Sequence, residues 1–145
     1  MLAQITSPHT DNTYLFPSCK TSSDVQLHKD RTEFAVIRFV RKLGIRPNLL
    51  GYKLLISSII TALEYPDTIN SLTHELYPIV AAMHSCNVRA VERNIRRAIE
   101  SAYEYDPERI RSVFYYKVDK PYISEVISLA AESVRFELSA ESRYI

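Results

Sequence analysis

The sequence predicts an all-α domain of about six helices containing a helix-turn-helix, and three observations carry that reading. From Thr32 onward, apolar residues recur at helical spacing through most of the chain. In 145 residues there are only two glycines, Gly44 and Gly51. The periodic segments are separated by short breaks rich in proline, asparagine, aspartate and serine, the residues that start and stop helices.

Taken in order, the first 30 residues stand apart. They hold eight Ser or Thr, two Pro and few large aliphatics. So little apolar surface does not offset chain entropy, so 1–30 is expected to be a flexible polar arm and 31–145 the helical domain. Thr32 is placed to cap a first helix, Glu33 to Leu43, ended by Gly44. Pro47 opens a second, to Glu64, whose Leu50, Leu54, Ile56, Ile59, Ile60 and Leu63 form a broad apolar face. Beyond Pro66-Asp67, Thr68 or Asn70 starts a third pattern through Leu72, Leu76 and Val80. Pro78 inside it requires a kink or a new helix. Ser85-Cys86-Asn87 is the next break, followed by a helix from Val88 to about Tyr105. Asp106-Pro107-Glu108 then starts a short helix ending near Phe114. Tyr115 to Lys120 reads as a connector with a brief extended Tyr-Tyr-Lys-Val, and a last helix runs from Ile123 to Leu138, with Ser124 or Pro121 at its start.

Several function classes drop out. No run approaches the ~18 apolar residues of a membrane span, and the first 20 residues lack the pattern of a secretory leader. Cys19 and Cys86 make no CxxC pair and no disulfide framework, which fits a reducing, cytoplasmic setting. Cys86 lies near His74, Glu75 and His84 in sequence, but proximity along the chain does not assemble a nucleophile, base and orienting group. These residues also lack the ligand spacing of a metal site. Two glycines do not make a phosphate-cradling loop. No enzyme activity, metal or cofactor is expected.

The informative segment is Asn87 to Glu100. At ~100° per residue, Val88, Val91, Ile95, Ala98, Ile99 and Ala102 share one arc. Arg89, Arg93, Arg96 and Arg97 project from the opposite side, with Glu92 and Glu100 among them. Guanidinium forks match guanine edges and phosphate oxygens, and a carboxylate accepts from a cytosine amino group. A solvated face laced with Glu–Arg pairs explains the same pattern about as well when the helix is taken alone. Its surroundings favour DNA. A short apolar helix, Pro78 to Met83, then a three-residue break and an Asn87 cap make the layout in which the second helix enters the major groove. Arg38, Arg41, Lys42, Arg46 and Lys53 add a basic stretch with no acidic residue between Glu33 and Glu64, suited to phosphates. Arg89, Arg97 and Asn87 are candidates for flanking contacts.

Longer blocks carry a resemblance. Leu43-Gly44-Ile45 with Gly51-Tyr52, Leu76-Tyr77-Pro78, Val91-Glu92-Arg93 with Ile95-Arg96 and Ala98-Ile99-Glu100, Ile110 through Phe114, and the Ser124–Leu138 helix occur in one order over about a hundred residues. The region from about Phe34 to Leu138 resembles the C-terminal DNA-binding effector domain of the stage-zero sporulation protein A family of response regulators. The resemblance implies a six-helix domain that binds a short asymmetric DNA box, with copies paired on tandem boxes and RNA polymerase as a further partner. It implies base reading by Glu92, Arg93 and Arg96. Departures at Pro47, Leu50, Arg89-Ala90 and Arg97 bear on which DNA sequence is preferred. The residues ahead of the domain here are too few for a doubly wound receiver, so the chain is expected to be either a free-standing relative, not controlled through a receiver of its own, or a fragment.

The function expected is therefore a sequence-specific double-stranded DNA-binding transcription regulator. The alternative is a non-catalytic interaction module that pairs with another regulator. Tyr103, Tyr105, Tyr115, Tyr116 and Tyr122 suit such an interface, since tyrosine is enriched there. Glu92, Arg93 and Arg96 favour DNA.

Overall fold

The computed structural model describes residues 21–114, 116 and 119–143. Among them are six α-helices and no strand: α1 Ser22–Lys42, α2 Leu50–Glu64, α3 Tyr77–Met83, α4 Val88–Tyr105, α5 Pro107–Val113 and α6 Ile123–Arg143. By packing, the chain divides into Met1–Arg31 and Thr32–Ile145. Of the first unit, residues 21–31 are described, helical from Ser22 and exposed throughout. The rest of the expected arm, 1–20, lies outside the described residues, as do Tyr115, Lys117 and Val118 of the expected extended piece.

The first helix begins at Ser22, eleven residues before the expected Glu33, and Thr32 lies inside it rather than at its cap. The cap is Thr21: its hydroxyl accepts from the Asp24 amide at 3.2 Å and donates to Asp24 Oδ2 at 2.8 Å. Gln26 Nε2 donates to Asp30 Oδ1 one turn on, at 2.9 Å. Apolar periodicity finds only helices with a buried face, whereas a capped, exposed turn is held by its own polar groups. Gly44 ends α1 as expected, with φ +86°, and its amide donates to Arg41 O.

Two further starts differ. The second helix begins at Leu50, because Arg46 to Leu49 close a turn through Leu49 N–H to Arg46 O, leaving Pro47 before the helix. Of the two options at Pro78, a new helix is found. A 3-10 stretch, Pro66–Ser71, and a π-turn, Leu72–Leu76, precede α3, whose first turn takes Pro78 where a missing N–H costs nothing. The last helix runs to Arg143. Ser124 lies in its first turn, and Glu125 Oε1 accepts from the Tyr122 amide at 2.9 Å. Asn87 and Asp106 cap α4 and α5 as expected, their side chains accepting from Ala90 N–H and Arg109 N–H.

Within Thr32–Ile145 the core is one apolar cluster around α2. Leu54, Leu55 and Ile59 of α2 meet Val91, Ile95 and Ile99 of α4 and Val126, Ile127 and Val134 of α6. Each such side chain removed from water contributes roughly 1.5–3 kcal/mol. The buried Ser58 and Thr61 hydroxyls donate one turn back, to Leu54 O and Ser57 O, so α2 carries them without an unmet polar group. The helix expected to read DNA is thus half a core element, which fixes its rotation.

Candidate nucleic-acid interface

The break between α3 and α4 is built by backbone. Ser85 takes φ +52°, Cys86 N–H donates to Ala81 O at 3.0 Å, and Ser85 N–H reaches Ala82 O at 3.5 Å. This 6→1 and 5→2 pair is a Schellman motif, here with serine where glycine is favoured. His84, the last residue before it, is tied to α2 by a 2.7 Å hydrogen bond between Nε2 and Ser57 Oγ. The turn therefore has one shape, and α4 leaves it at a set angle.

Gly51 sets the depth at which α4 sits. A β-carbon there would lie 2.7 Å from Ala98 Cβ and closer still to the main chain of Asn94, so α2 and α4 cross backbone to backbone. A lone glycine inside a helical run is the sequence signal for such a crossing. With Val91, Ile95, Ala98, Ile99 and Ala102 buried, the opposite side of α4 faces outward. Arg89, Arg93, Arg96 and Arg97 are all exposed.

The three residues expected to read bases differ in state. Arg96 donates to Glu92 one turn earlier. Both line a hollow with Tyr77 of α3, Glu100 and Lys120, and the last two form an ion pair at 3.1 Å. Tyr77 is pushed up to about 12, first by burial and then by the nearby Glu92 carboxylate, with Arg96 opposing. Arg93, on the open side, has no ion pair among the described residues. Arg89 and Arg97 flank it in the same state, and Asn87 is committed to its cap through Oδ1, its amide N–H groups having no partner among the described residues.

Of the other basic residues, Arg38 and Lys42 lie away from α4. Arg38 donates to Glu137 of α6 at 2.6 Å, and Arg38 and Lys42 line a groove with α6 that includes no α4 residue. Arg46 stacks over the Tyr105 ring, 5.3 Å from its centroid, at the C-terminal end of α4. Lys53 is exposed two residues beyond Gly51 on α2, and Arg41 is exposed on the last turn of α1. One arginine escaped the sequence reading. Arg109 of α5 donates through Nε to Lys42 O and through Nη2 to Arg41 O, both at 3.1 Å, satisfying carbonyls at the end of α1. Its partners are 67 and 68 residues away, and no local pattern marks it.

Of the interface tyrosines, Tyr105, Tyr116 and Tyr122 are exposed; Tyr103 is half-buried and accepts from Arg111 Nη2 at 3.0 Å, and Tyr115 lies outside the described residues. No group of three His, Cys, Asp or Glu among the described residues is placed to hold a metal ion, and no described helix is long and apolar enough to cross a membrane. Residues 36–134 match a family model described as the C terminal of sporulation initiation factor Spo0A.

Proposed function

Because this chain belongs to the family of Spo0A C-terminal domains, DNA-binding effector domains of a sporulation regulator, we propose that it is a sequence-specific transcription regulator that reads duplex DNA with α4 in the major groove. The observation that supports this reading most is the outward arginine face of a helix whose other side is locked into the core. A helix fixed by Gly51 below and by the Ser85 turn at its N-terminus presents its first half at a constant angle, as base reading requires.

Roles divide along α4. Arg93 is the residue to place on a guanine edge, having no partner to give up among the described residues. Glu92 and Arg96 enter as a pair: on a suitable box the carboxylate accepts from a base amino group while Arg96 turns to a base or phosphate. Arg89, Arg97 and the Asn87 amide flank them, and Arg46, Lys53 and Arg41 are anchors for phosphates. In this reading the regulator acts in the cytoplasm, beside RNA polymerase, with copies on adjacent boxes, and needs no catalytic step or cofactor.

The test is binding of the full chain to a box selected from random duplexes and to its scrambled form, across a salt series. The expected result is a steep fall of affinity with salt on both, and a preference for the selected box. A flat salt response, or no binding at low salt, would favour the alternative of an interaction module pairing with another regulator.

A further inference from the structure

The groove between α1 and α6 belongs to none of the DNA roles kept above. Its floor is apolar, formed by Ala35, Phe39 and Val134. Phe136 stands on the α6 wall with 76% of its surface exposed, and Phe34, one turn before Arg38 on α1, is 62% exposed. An exposed phenylalanine keeps much apolar area in water, and Phe136 above this apolar floor makes a patch that association would bury.

The walls carry opposite charge. Arg38 and Lys42 line the α1 side; Glu137 and Glu141 line the α6 side. Arg38 and Glu137 meet across the groove at 2.6 Å. Lys42 and Glu141 make no ion pair among the described residues, so one positive and one negative charge remain to be matched. A polyanion such as DNA meets two carboxylates here, and a uniformly acidic or basic partner is opposed by one wall or the other. A second copy of the chain carries the matching set. Turned about a two-fold axis, its acidic wall lies on the first copy's basic wall and the reverse, so each contact occurs twice.

We propose that this groove is a self-association surface, on which two copies pack with Phe136 near the other copy's Phe34 and Lys42 near the other copy's Glu141. The association requires no DNA and uses no residue of α4, so it stands or falls separately from the DNA-binding reading.

The test is sedimentation velocity of the full chain without DNA, from low to high micromolar concentration. A monomer–dimer equilibrium is expected, weakened at least ~tenfold by Phe136→Lys. Lys42→Glu and Glu141→Lys, each made alone, place like charges together twice and are expected to be monomeric. Mixed in equal amounts they restore opposite charges at both contacts and are expected to form a heterodimer. All three side chains lie at the surface, and melting curves check that each variant folds. A chain monomeric at every concentration, a dimer indifferent to Phe136→Lys, or a mixture of the two charge variants that stays monomeric would each overturn the proposal.

Discussion

A β-carbon on Gly51 would lie 2.2 Å from the main-chain oxygen of Asn94, well inside any tolerable contact. Because the obstruction is helix backbone, no side-chain rotation relieves it, and α2 and α4 must separate. Gly51→Ala is therefore expected to cost about 1–3 kcal/mol of stability by overpacking. It should also weaken binding to a preferred box more than to scrambled DNA, since α4 is re-aimed. Urea unfolding and a binding titration measure the two effects.

Ser85 is the opposite case, a residue whose replacement by glycine should help. At φ +52° a residue with a β-carbon is strained by about 1–2 kcal/mol, while glycine's extra freedom in the unfolded chain takes back about 0.5–1 kcal/mol. Ser85 is exposed, and only its backbone takes part in the turn. Ser85→Gly is expected to stabilise by up to about 1 kcal/mol, seen as a higher urea midpoint at unchanged slope. A lower midpoint would show that the serine side chain supports the turn.

Base reading and phosphate anchoring should separate by position. Arg93→Ala is expected to cost about 1–3 kcal/mol on the preferred box and to blur its discrimination, whereas Lys53→Ala should weaken all sequences alike and reduce the salt slope. Equal losses on specific and scrambled DNA for Arg93→Ala would remove that residue from the base edge.

Tyr77 gives the alkaline limit a local cause. The folded chain holds its phenolic proton up to about 12, whereas the unfolded chain releases it near 10. The unfolded state thus binds fewer protons in that window. The stability gained by keeping the phenol neutral, complete below pH 10, is lost as pH rises from 10 to about 12. Tyr77→Phe should reduce the alkaline loss by ~1–2 kcal/mol and leave neutral-pH stability nearly unchanged. Identical pH profiles for the two proteins would exclude Tyr77 as the cause.

Residues 1–30 are proposed to be dispensable for folding of the helical domain. Residues 21–31 are exposed throughout, so among the described residues a chain starting at Arg31 loses the exposed helical stretch from Ser22 to Asp30 and the Thr21 cap but no buried side chain. Its melting temperature is expected within about 3 °C of the full chain's. A larger fall would place the domain boundary nearer the N-terminus.

The all-α class, the break at Ser85-Cys86-Asn87, the caps at Asn87 and Asp106, and the arginine-rich side of α4 were all legible in the order of residues. These follow from local rules: helical period, capping chemistry and scarce glycine act within a few residues and leave their mark there. The start of α1 was not legible, because Ser22 to Arg31 is a capped helix with no buried face, invisible to apolar periodicity. Which of the many charged side chains are engaged depends on how the helices pack. Arg38 with Glu137 and Arg109 with the end of α1 join residues far apart in the chain. Arg46, proposed as a phosphate anchor, is stacked on Tyr105, 59 residues away in the chain. A charge is written in the sequence, but its partner is set by which helices lie side by side, and that depends on packing around α2.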